Sequence, residues 1–165
     1  MITQDDLTTA IKNNHFKNTM TTKIKRIELQ SEKQLEFIDV TNLVEEAVET
    51  SGVKNGVVTV FSPHTTCGIV INHNESLLIQ DMARTLYKLV PIDERYSHDM
   101  FELTNESKSD GRSNGHSHCK NLLLGCSESI PFEKGELLLG ERQNIFFVEL
   151  DGARKRDFII QIMGE

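Results

Sequence analysis

Five short apolar runs, each bounded by turn residues, most constrain how this chain can fold. Two lie in the middle of the sequence and three at its end; they are NGVVTVF, CGIVIN, GELLLG, NIFFVELDG and RDFIIQIMG. Runs of this length that are rich in Val, Ile and Phe predict β-strands. They are far too short to span a bilayer, and the polar N-terminus has no hydrophobic signal core. We therefore expect a sheet-based protein that is neither secreted nor inserted in a membrane.

Two segments between these runs have the apolar spacing of amphipathic helices. In residues 41–52, Asn42 and Glu45 form a capping box, and Gly52 supplies a left-handed position for the C-terminal end. Residues 74–91 carry leucines and a methionine at helical intervals before a proline. The sequence therefore predicts both helices and strands.

The organisation of the chain is that of one domain. Its 165 residues suffice for a single compact core without disulfides or a structural metal. Residues 1–22 have weak periodicity and are interpreted as an N-terminal extension, and residues 23–165 as the domain. Residues 93–115 are polar and aperiodic, which predicts a long loop of the kind that often carries function.

The net charge of the chain and the number and spacing of its cysteines exclude some classes of function. The formal net charge of −7 argues against nucleic-acid binding, which depends on Lys and Arg neutralising phosphates. Cys67, Cys119 and Cys126 are odd in number and lack paired spacing, so neither a disulfide framework nor a zinc ribbon is indicated. A reducing, cytoplasmic location fits best.

Four histidines fall in predicted loops or at element ends: His64, His98, His116 and His118. The apolar residues after His118 favour a helix over 116–125, in which side chains two apart diverge by roughly 200°. Only one of the pair could then point into a site, and we interpret His118 as the ligand candidate and His116 as a first-turn residue. The predicted core stripe of this helix comprises Cys119, Leu122, Leu123 and Cys126.

The chemistry of the neighbouring residues suggests metal, phosphate or both. The helix begins near Ser113 or Asn114, and its free N–H groups would form a phosphate cradle. His98 beside Asp99 fits a metal ligand or a general acid/base dyad. Arg154 lies in a charged run that is usually solvated, yet its guanidinium could bind phosphate in a bidentate manner.

Four segments in order resemble one known family: FSPHTTCGIVIN, RYSHDM, SHCKNLLLG and GELLLGERQNIFFVELDGARKR. They are similar to the YjbQ family, which is associated with secondary thiamine-phosphate synthase activity, and the resemblance runs from about Lys23 to Glu165. It implies an α+β fold, a single domain with a mixed β-sheet and flanking helices. It also implies a homotrimer with a histidine-lined pocket near a subunit interface.

The resemblance also implies a site. A divalent metal, zinc or, with a diphosphate substrate, magnesium, would be bound by His64, His98 and His118. The expected catalytic residues are His98, Asp99 and His118, and the expected substrate-binding residues are Asn114, Lys120, Gln143 and Arg154.

The implied reaction joins a pyrimidine-methyl diphosphate to a thiazole phosphate with loss of pyrophosphate, and it needs positive charge at the leaving group. Two alternatives stay open. One is metal-dependent hydrolysis of a small phosphorylated metabolite, with His98 and Asp99 handling protons. The other is a noncatalytic trimer that binds a metal or a ligand.

Overall fold

The computed structural model describes the backbone of residues 20–104 and 112–165 and the side chains of residues 20–100 and 112–165. In this part of the chain eight strands and four helices occur. Their order is β1 (Thr21–Gln30), β2 (Glu36–Asp39), α1 (Thr41–Ser51), β3 (Gly56–Phe61), β4 (Cys67–Asn72), α2 (Ser76–Leu89), α3 (Ser97–Thr104), α4 (Gly115–Leu124), β5 (Ser127–Glu133), β6 (Glu136–Leu137), β7 (Asn144–Glu149) and β8 (Lys155–Gly164).

The strands form two sheets. One has the order β1-β8-β3-β5-β6 and the other the order β2-β7-β4. Every described pairing is antiparallel. The expected α+β domain with flanking helices is confirmed, and where a mixed sheet was expected the described strands are antiparallel. Among the described residues, no helix is long and apolar enough to cross a membrane.

The main core lies where inward-facing residues of both sheets meet α1. Along β8 buried and less buried residues alternate, because successive strand side chains point to opposite faces. The most deeply buried members of this core include Val44, Val48, Val58, Val60, Ile69, Ile145, Phe147, Phe158 and Ile160. Burial of such residues is the main favourable contribution to folding.

Most predicted elements are present with small shifts in their ends. The run GELLLG is the exception, since only Glu136–Leu137 pair as a strand. Residues 93–115 were predicted to be a loop, but they contain α3, and residues 105–111 lie outside the described part. The predicted extension, residues 1–22, also lies outside it except for its last three residues, so that boundary stays a prediction.

Three connections meet at one end of the sheets and build the candidate site. They are the turn between β3 and β4, the start of α4, and the turn between β7 and β8. The backbone N–H of Leu150 donates to the Thr66 carbonyl at 3.2 Å, which joins the two turns. The Ser117 hydroxyl donates to the Leu150 carbonyl at 2.6 Å, which joins α4 to the same place.

Candidate functional site

An open cleft of about 280 Å³ lies where these three connections meet. It is lined by Pro63, His64, Thr65, Thr66, Asn114, His118, Asp151, Arg154 and Arg156. Four of the eight predicted site residues therefore lie around one space. A larger cleft of about 570 Å³ between α1 and β6 is lined by glutamates, lysines, one glycine and one leucine, with none of the predicted site residues. We take the smaller cleft as the candidate site because imidazole, guanidinium and hydroxyl groups converge there.

His64 is held by the start of β8. Its Nε2 accepts a hydrogen bond from the backbone N–H of Asp157 at 3.2 Å, and Asp157 Oδ1 is also 3.2 Å away. Arg26 of the neighbouring strand β1 pairs with the other oxygen of this carboxylate. Because Nε2 accepts, the neutral ring carries its proton on Nδ1, whereas a protonated ring would instead donate to the Asp157 carboxylate.

Asp99 caps the first turn of α4. Its carboxylate accepts from the Gly115 backbone N–H at 2.8 Å and from the Ser113 hydroxyl at 2.6 Å. Burial opposes the charged form, but these two hydrogen bonds hold the pKa of Asp99 below its ordinary value. Only glycine fits at position 115, since an added Cβ would lie 2.4 Å from Tyr96 Cβ.

This cap corrects two predictions. Asn114 occupies the N-cap position, but its side chain makes no capping hydrogen bond. One of the N–H groups expected to cradle a phosphate is already bound by Asp99. Asp99, predicted to be catalytic, thus gives both carboxylate oxygens to the segment that begins α4, and its contacts there are those of a positioning residue.

His98 and His118 face each other between α3 and α4. Their ring centroids are 4.8 Å apart and their planes meet at 76°. His118 lines the cleft. The two imidazoles predicted as ligands are therefore neighbours, while His64 is engaged by Asp157 on the other side of the cleft.

The inward face of α4 is polar rather than apolar. His116 and Lys120 are 2% and 1% exposed, whereas Leu122 is 84% exposed. The predicted core stripe is therefore wrong: Leu123 and Cys119 are exposed too and Cys126 is half-buried. His116 does lie in the first helical turn, as predicted.

Lys120 lies inside the chain and outside the cleft. Its Nζ is 3.1 Å from His116 Nδ1 and 5.1 Å from the centroid of the Tyr87 ring. Burial lowers the pKa of Lys120, and burial together with the Lys120 charge lowers the pKa of His116. The predicted contact between Lys120 and a substrate in this cleft is not provided by its position in the single chain.

Asp151 organises the opposite wall of the cleft. Its Oδ2 accepts from Arg154 Nη2 at 2.5 Å and from Asn114 Nδ2 at 3.3 Å, and its side chain is only 4% exposed. The other polar atoms of these two partners, Arg154 Nε and Asn114 Oδ1, are buried without a hydrogen-bond partner among the described residues. Such atoms are uncommon in folded proteins and call for an explanation.

A buried ion pair forms the floor of the cleft. Arg156 donates from Nε and Nη2 to the two carboxylate oxygens of Glu149 at 2.7 and 2.8 Å, and its Nη2 also donates to the Thr66 hydroxyl. Burial opposes ionisation of Glu149, but the Arg156 hydrogen bonds hold its pKa below the ordinary value. The pair therefore fixes the ends of β7 and β8 beneath the site.

Gln143 is not brought to the cleft within the chain. It is exposed in the turn before β7, where its side-chain oxygen accepts from the Gly140 N–H at 2.8 Å. Across residues 20–104 and 112–165, no group of three or more His, Cys, Asp or Glu side chains is arranged to hold a metal ion. The single chain thus supplies a pair of adjacent imidazoles, and the expected set of three is not assembled in it.

Besides Pro63, sequence reasoning missed four residues of the cleft: Thr65, Thr66, Asp151 and Arg156. The first two directly follow His64 and could have been included with it. The other two flank Arg154 in the segment LDGARKR, whose Asp-Gly pair is a turn signal. That turn, with the sheet order, brings them together.

Comparisons with known proteins agree on one family. A family model described as UPF0047 protein YjbQ-like matches residues 25–165. The UPF0047 protein of Methanothermobacter thermautotrophicus is 37% identical over 141 residues, covering 86% of this chain and 92% of that protein. YugU of Bacillus subtilis, also a UPF0047 protein, is 32% identical over 142 residues, covering 86% and 99%.

Solved structures give the same result. The crystal structure of a YbjQ-like protein of unknown function from Sulfolobus solfataricus P2 has a TM-score of 0.81 and 32% identity, covering 89% of this chain and 100% of that chain. That of an uncharacterised conserved YjbQ/UPF0047 protein from Clostridium acetobutylicum has a TM-score of 0.74 and 37% identity, covering 84% and 98%.

Proposed function

We propose, from the premise that this chain belongs to the YjbQ-like UPF0047 family, that it is an enzyme acting on a small phosphorylated metabolite. We further propose that its reaction is the transfer implied by the family resemblance, in which a pyrimidine-methyl diphosphate and a thiazole phosphate form thiamine phosphate and pyrophosphate. The observation that carries the proposal is the convergence of His64, His118 and Arg154 on one cleft beside two threonine hydroxyls.

The charges and donors of the cleft suit a phosphoryl group. Arg154 is held beside Asp151 and Arg156 beside Glu149, so neither guanidinium has to be ordered when an anion arrives. Hydroxyl groups of Thr65 and Thr66 add neutral donors. A leaving pyrophosphate would be stabilised there by guanidinium hydrogen-bond donors that are already oriented, although each guanidinium charge is balanced by its carboxylate partner.

The imidazoles supply proton transfer. His64 Nε2 lies 3.2 Å from both the backbone N–H and a carboxylate oxygen of Asp157. The ring can therefore accept from the first when it is neutral and donate to the second when it is protonated. His118, half-exposed in the cleft, is the second candidate to hold or release a proton at the ligand.

A divalent metal, zinc or magnesium, is a further part of the proposal. His98 and His118 would hold it, with remaining ligands from the substrate or another subunit, and it would neutralise charge on the diphosphate. The phosphate contacts of the arginines and the proton transfer by His64 and His118 do not depend on this metal. We also propose a homotrimer, since apolar residues of α2 and α4 are exposed, and a cytoplasmic location, since the cysteine count is odd and all three are free.

The hydrolase alternative assigns protons to His98 and Asp99. Asp99 accepts two hydrogen bonds at the start of α4, which favours a positioning role over proton transfer. Asp99 was expected to be catalytic in the transferase as well, so this contact does not separate the two reactions, whereas the products of an assay do.

The test is a coupling assay with purified protein and the two phosphorylated precursors, with and without divalent metals. We expect thiamine phosphate from the wild type and loss of at least about 100-fold in rate for His118→Ala, since general acid/base groups contribute roughly 100- to 10,000-fold. The matched control is His73→Ala, because His73 lies outside the cleft. Product absent under every metal condition would contradict the transferase, and phosphate released from one precursor alone would identify hydrolysis.

A further inference from the structure

Two residues that line the cleft each have a buried polar atom without a partner within the part of the chain that the structure describes: Asn114 Oδ1 and Arg154 Nε. Asn114 is only 8% exposed, and both residues line the cleft. One atom is an acceptor and the other a donor. A buried group left without a partner loses its hydrogen bonds to water, so a ligand that satisfies both atoms gains affinity.

Asp151 determines which atom of the Asn114 amide has no hydrogen-bond partner. The amide nitrogen Nδ2 donates to Asp151 Oδ2 at 3.3 Å, and an ionised carboxylate can only accept. Rotating the amide by half a turn would place two acceptors against each other. The oxygen Oδ1 is therefore the atom left for a ligand, and it requires an O–H or N–H.

The same carboxylate oxygen orients Arg154. It accepts from Nη2 at 2.5 Å, which leaves the Nε–H as a charged donor for a ligand oxygen. The unpaired donor and the unpaired acceptor thus belong to two side chains that are both bound to Asp151 Oδ2. A small group that is anionic on one side and a donor on the other would match them.

We propose that the cleft selects an oxyanion that carries its own hydrogen-bond donor, such as monohydrogen phosphate or a phosphate ester with an adjacent hydroxyl or amino group, and that Asp151 is the positioning residue for this selectivity. The proposal deepens the proposed function, because it rests on the cleft being a phosphoryl site. Arg154 would donate to an anionic oxygen while Asn114 Oδ1 accepts the donor.

Phosphate and sulfate distinguish this proposal from simple charge attraction. At mildly alkaline pH both are tetrahedral dianions of similar size, but only phosphate retains an O–H. With sulfate, Asn114 Oδ1 stays unpaired, which should weaken binding by about tenfold. A site that recognises charge alone would bind the two anions equally.

The experiment is isothermal titration calorimetry of the full-length chain with inorganic phosphate and with sulfate at matched ionic strength. We expect phosphate to bind about tenfold more tightly to the wild type, and the ratio to approach one in Asn114→Ala. Asp151→Asn should also lower the ratio while phosphate still binds, because a residue-151 amide can donate as well as accept and no longer fixes the Asn114 amide.

Asn121→Ala is the matched control. Asn121 is on the same helix and its Oδ1 is also buried without a partner among the described residues, but it does not line the cleft. This variant should keep the wild-type ratio.

Equal wild-type affinities for the two anions would overturn the selectivity and leave the phosphoryl site standing. Binding of neither anion would overturn both the selectivity and the proposed function. An unchanged ratio in Asn114→Ala would overturn the role assigned to Asn114, because another group would then accept the O–H of phosphate. The wild-type comparison needs no substitution, so the test holds even where a variant fails to fold.

Discussion

At the scale of single residues, Arg156 forms a buried ion pair with Glu149 beneath the cleft. It is 8% exposed, and its bidentate bond to Glu149 places both charges inside the chain. A buried pair of this kind adds little net stability over an apolar pair, but removing one partner leaves the other charge uncompensated. Its role in this fold is to fix the two strand ends that carry Asp151 and Arg154.

Arg156→Met should therefore destabilise the chain strongly. We expect a loss of about 3–5 kcal/mol in the free energy of unfolding, measured by urea denaturation at neutral pH. Arg142→Met, at an exposed position, serves as the control and should change stability by less than about 0.5 kcal/mol. A loss for Arg156→Met as small as that of the control would argue against an uncompensated Glu149 charge.

Two of the three cysteines, Cys67 and Cys119, should differ sharply in reactivity. Burial, together with the nearby Glu149 carboxylate, raises the pKa of the Cys67 thiol to about 12, so the thiolate is scarce at neutral pH. Cys119 is exposed. Mass spectrometry after iodoacetamide treatment should find Cys119 modified and Cys67 intact in the native protein, with both modified after denaturation. Rapid native alkylation of Cys67 would contradict its buried placement.

At the scale of elements, α4 is the helix that links the fold to the site. Its start is capped by Asp99 from α3, and its inward face packs His116 and Lys120 against the chain. The element that carries His118 is thus positioned by contacts made outside the cleft. Loss of the cap should affect both stability and the site.

Asp99→Ala should cost about 0.5–2 kcal/mol in the free energy of unfolding, as for the loss of a helix cap. The pKa of Asp99 is lowered in the folded chain, so its contribution is present above its unfolded pKa of about 3.9 and is lost as pH falls through the folded value. The stability difference between wild type and variant, measured by denaturation over pH, should therefore shrink in acid. A difference independent of pH would contradict a charged cap.

Strands β3, β4, β7 and β8 could be predicted because their apolar runs have the right length and composition. Strand β5, with the sequence SESIPFE, has no such run, and α4 shows a second way in which such reasoning fails. The helix itself follows from its sequence, but leucines that a pattern assigns to the core are exposed, and a lysine and a histidine are buried instead. They pack against the rings of Tyr87 and Tyr96, partners distant in the sequence that no local pattern contains. The capping box predicted for α1 is also wrong, because Asp39, two residues before Thr41, accepts from the Thr41 N–H at 2.9 Å instead.

The candidate site was predictable in part for the same reason. His64, His118 and Arg154 stand out by residue type in turn-like segments, and all three line the cleft. Asp151 and Arg156 gain their roles because the chain passes there from β7 of one sheet to β8 of the other, and the sequence alone did not specify this sheet order. Gln143 and Lys120 match the family's pattern, yet the single chain places them away from this cleft.

At the scale of the whole molecule, several large apolar side chains of the helices are exposed to solvent. Leu77 and Leu89 of α2 are each 65% exposed, and Leu122 of α4 is 84% exposed. Apolar side chains of this size are characteristic of protein–protein interfaces when they cluster. The exposure of these leucines supports the proposed homotrimer, in which they would be covered by other copies.

Sedimentation equilibrium should give a mass of three times the 18.7 kDa chain. Leu122→Asp should weaken assembly, since a charge at a buried interface is costly. Glu141→Asp, which keeps the charge at another exposed position, is the control and should not weaken it. A monomeric mass for the wild type at every concentration would reject the trimer.

The most direct test of the central claim, that the cleft binds a phosphoryl group beside two imidazoles, is a titration of the histidine ring signals with inorganic pyrophosphate by nuclear magnetic resonance. Signals are assigned with single histidine variants. The proposal predicts that the ring resonances of His64 and His118 move in a saturable way while that of His73 does not. Unchanged His64 and His118 resonances at high pyrophosphate, or equal shifts that include His73, would contradict it.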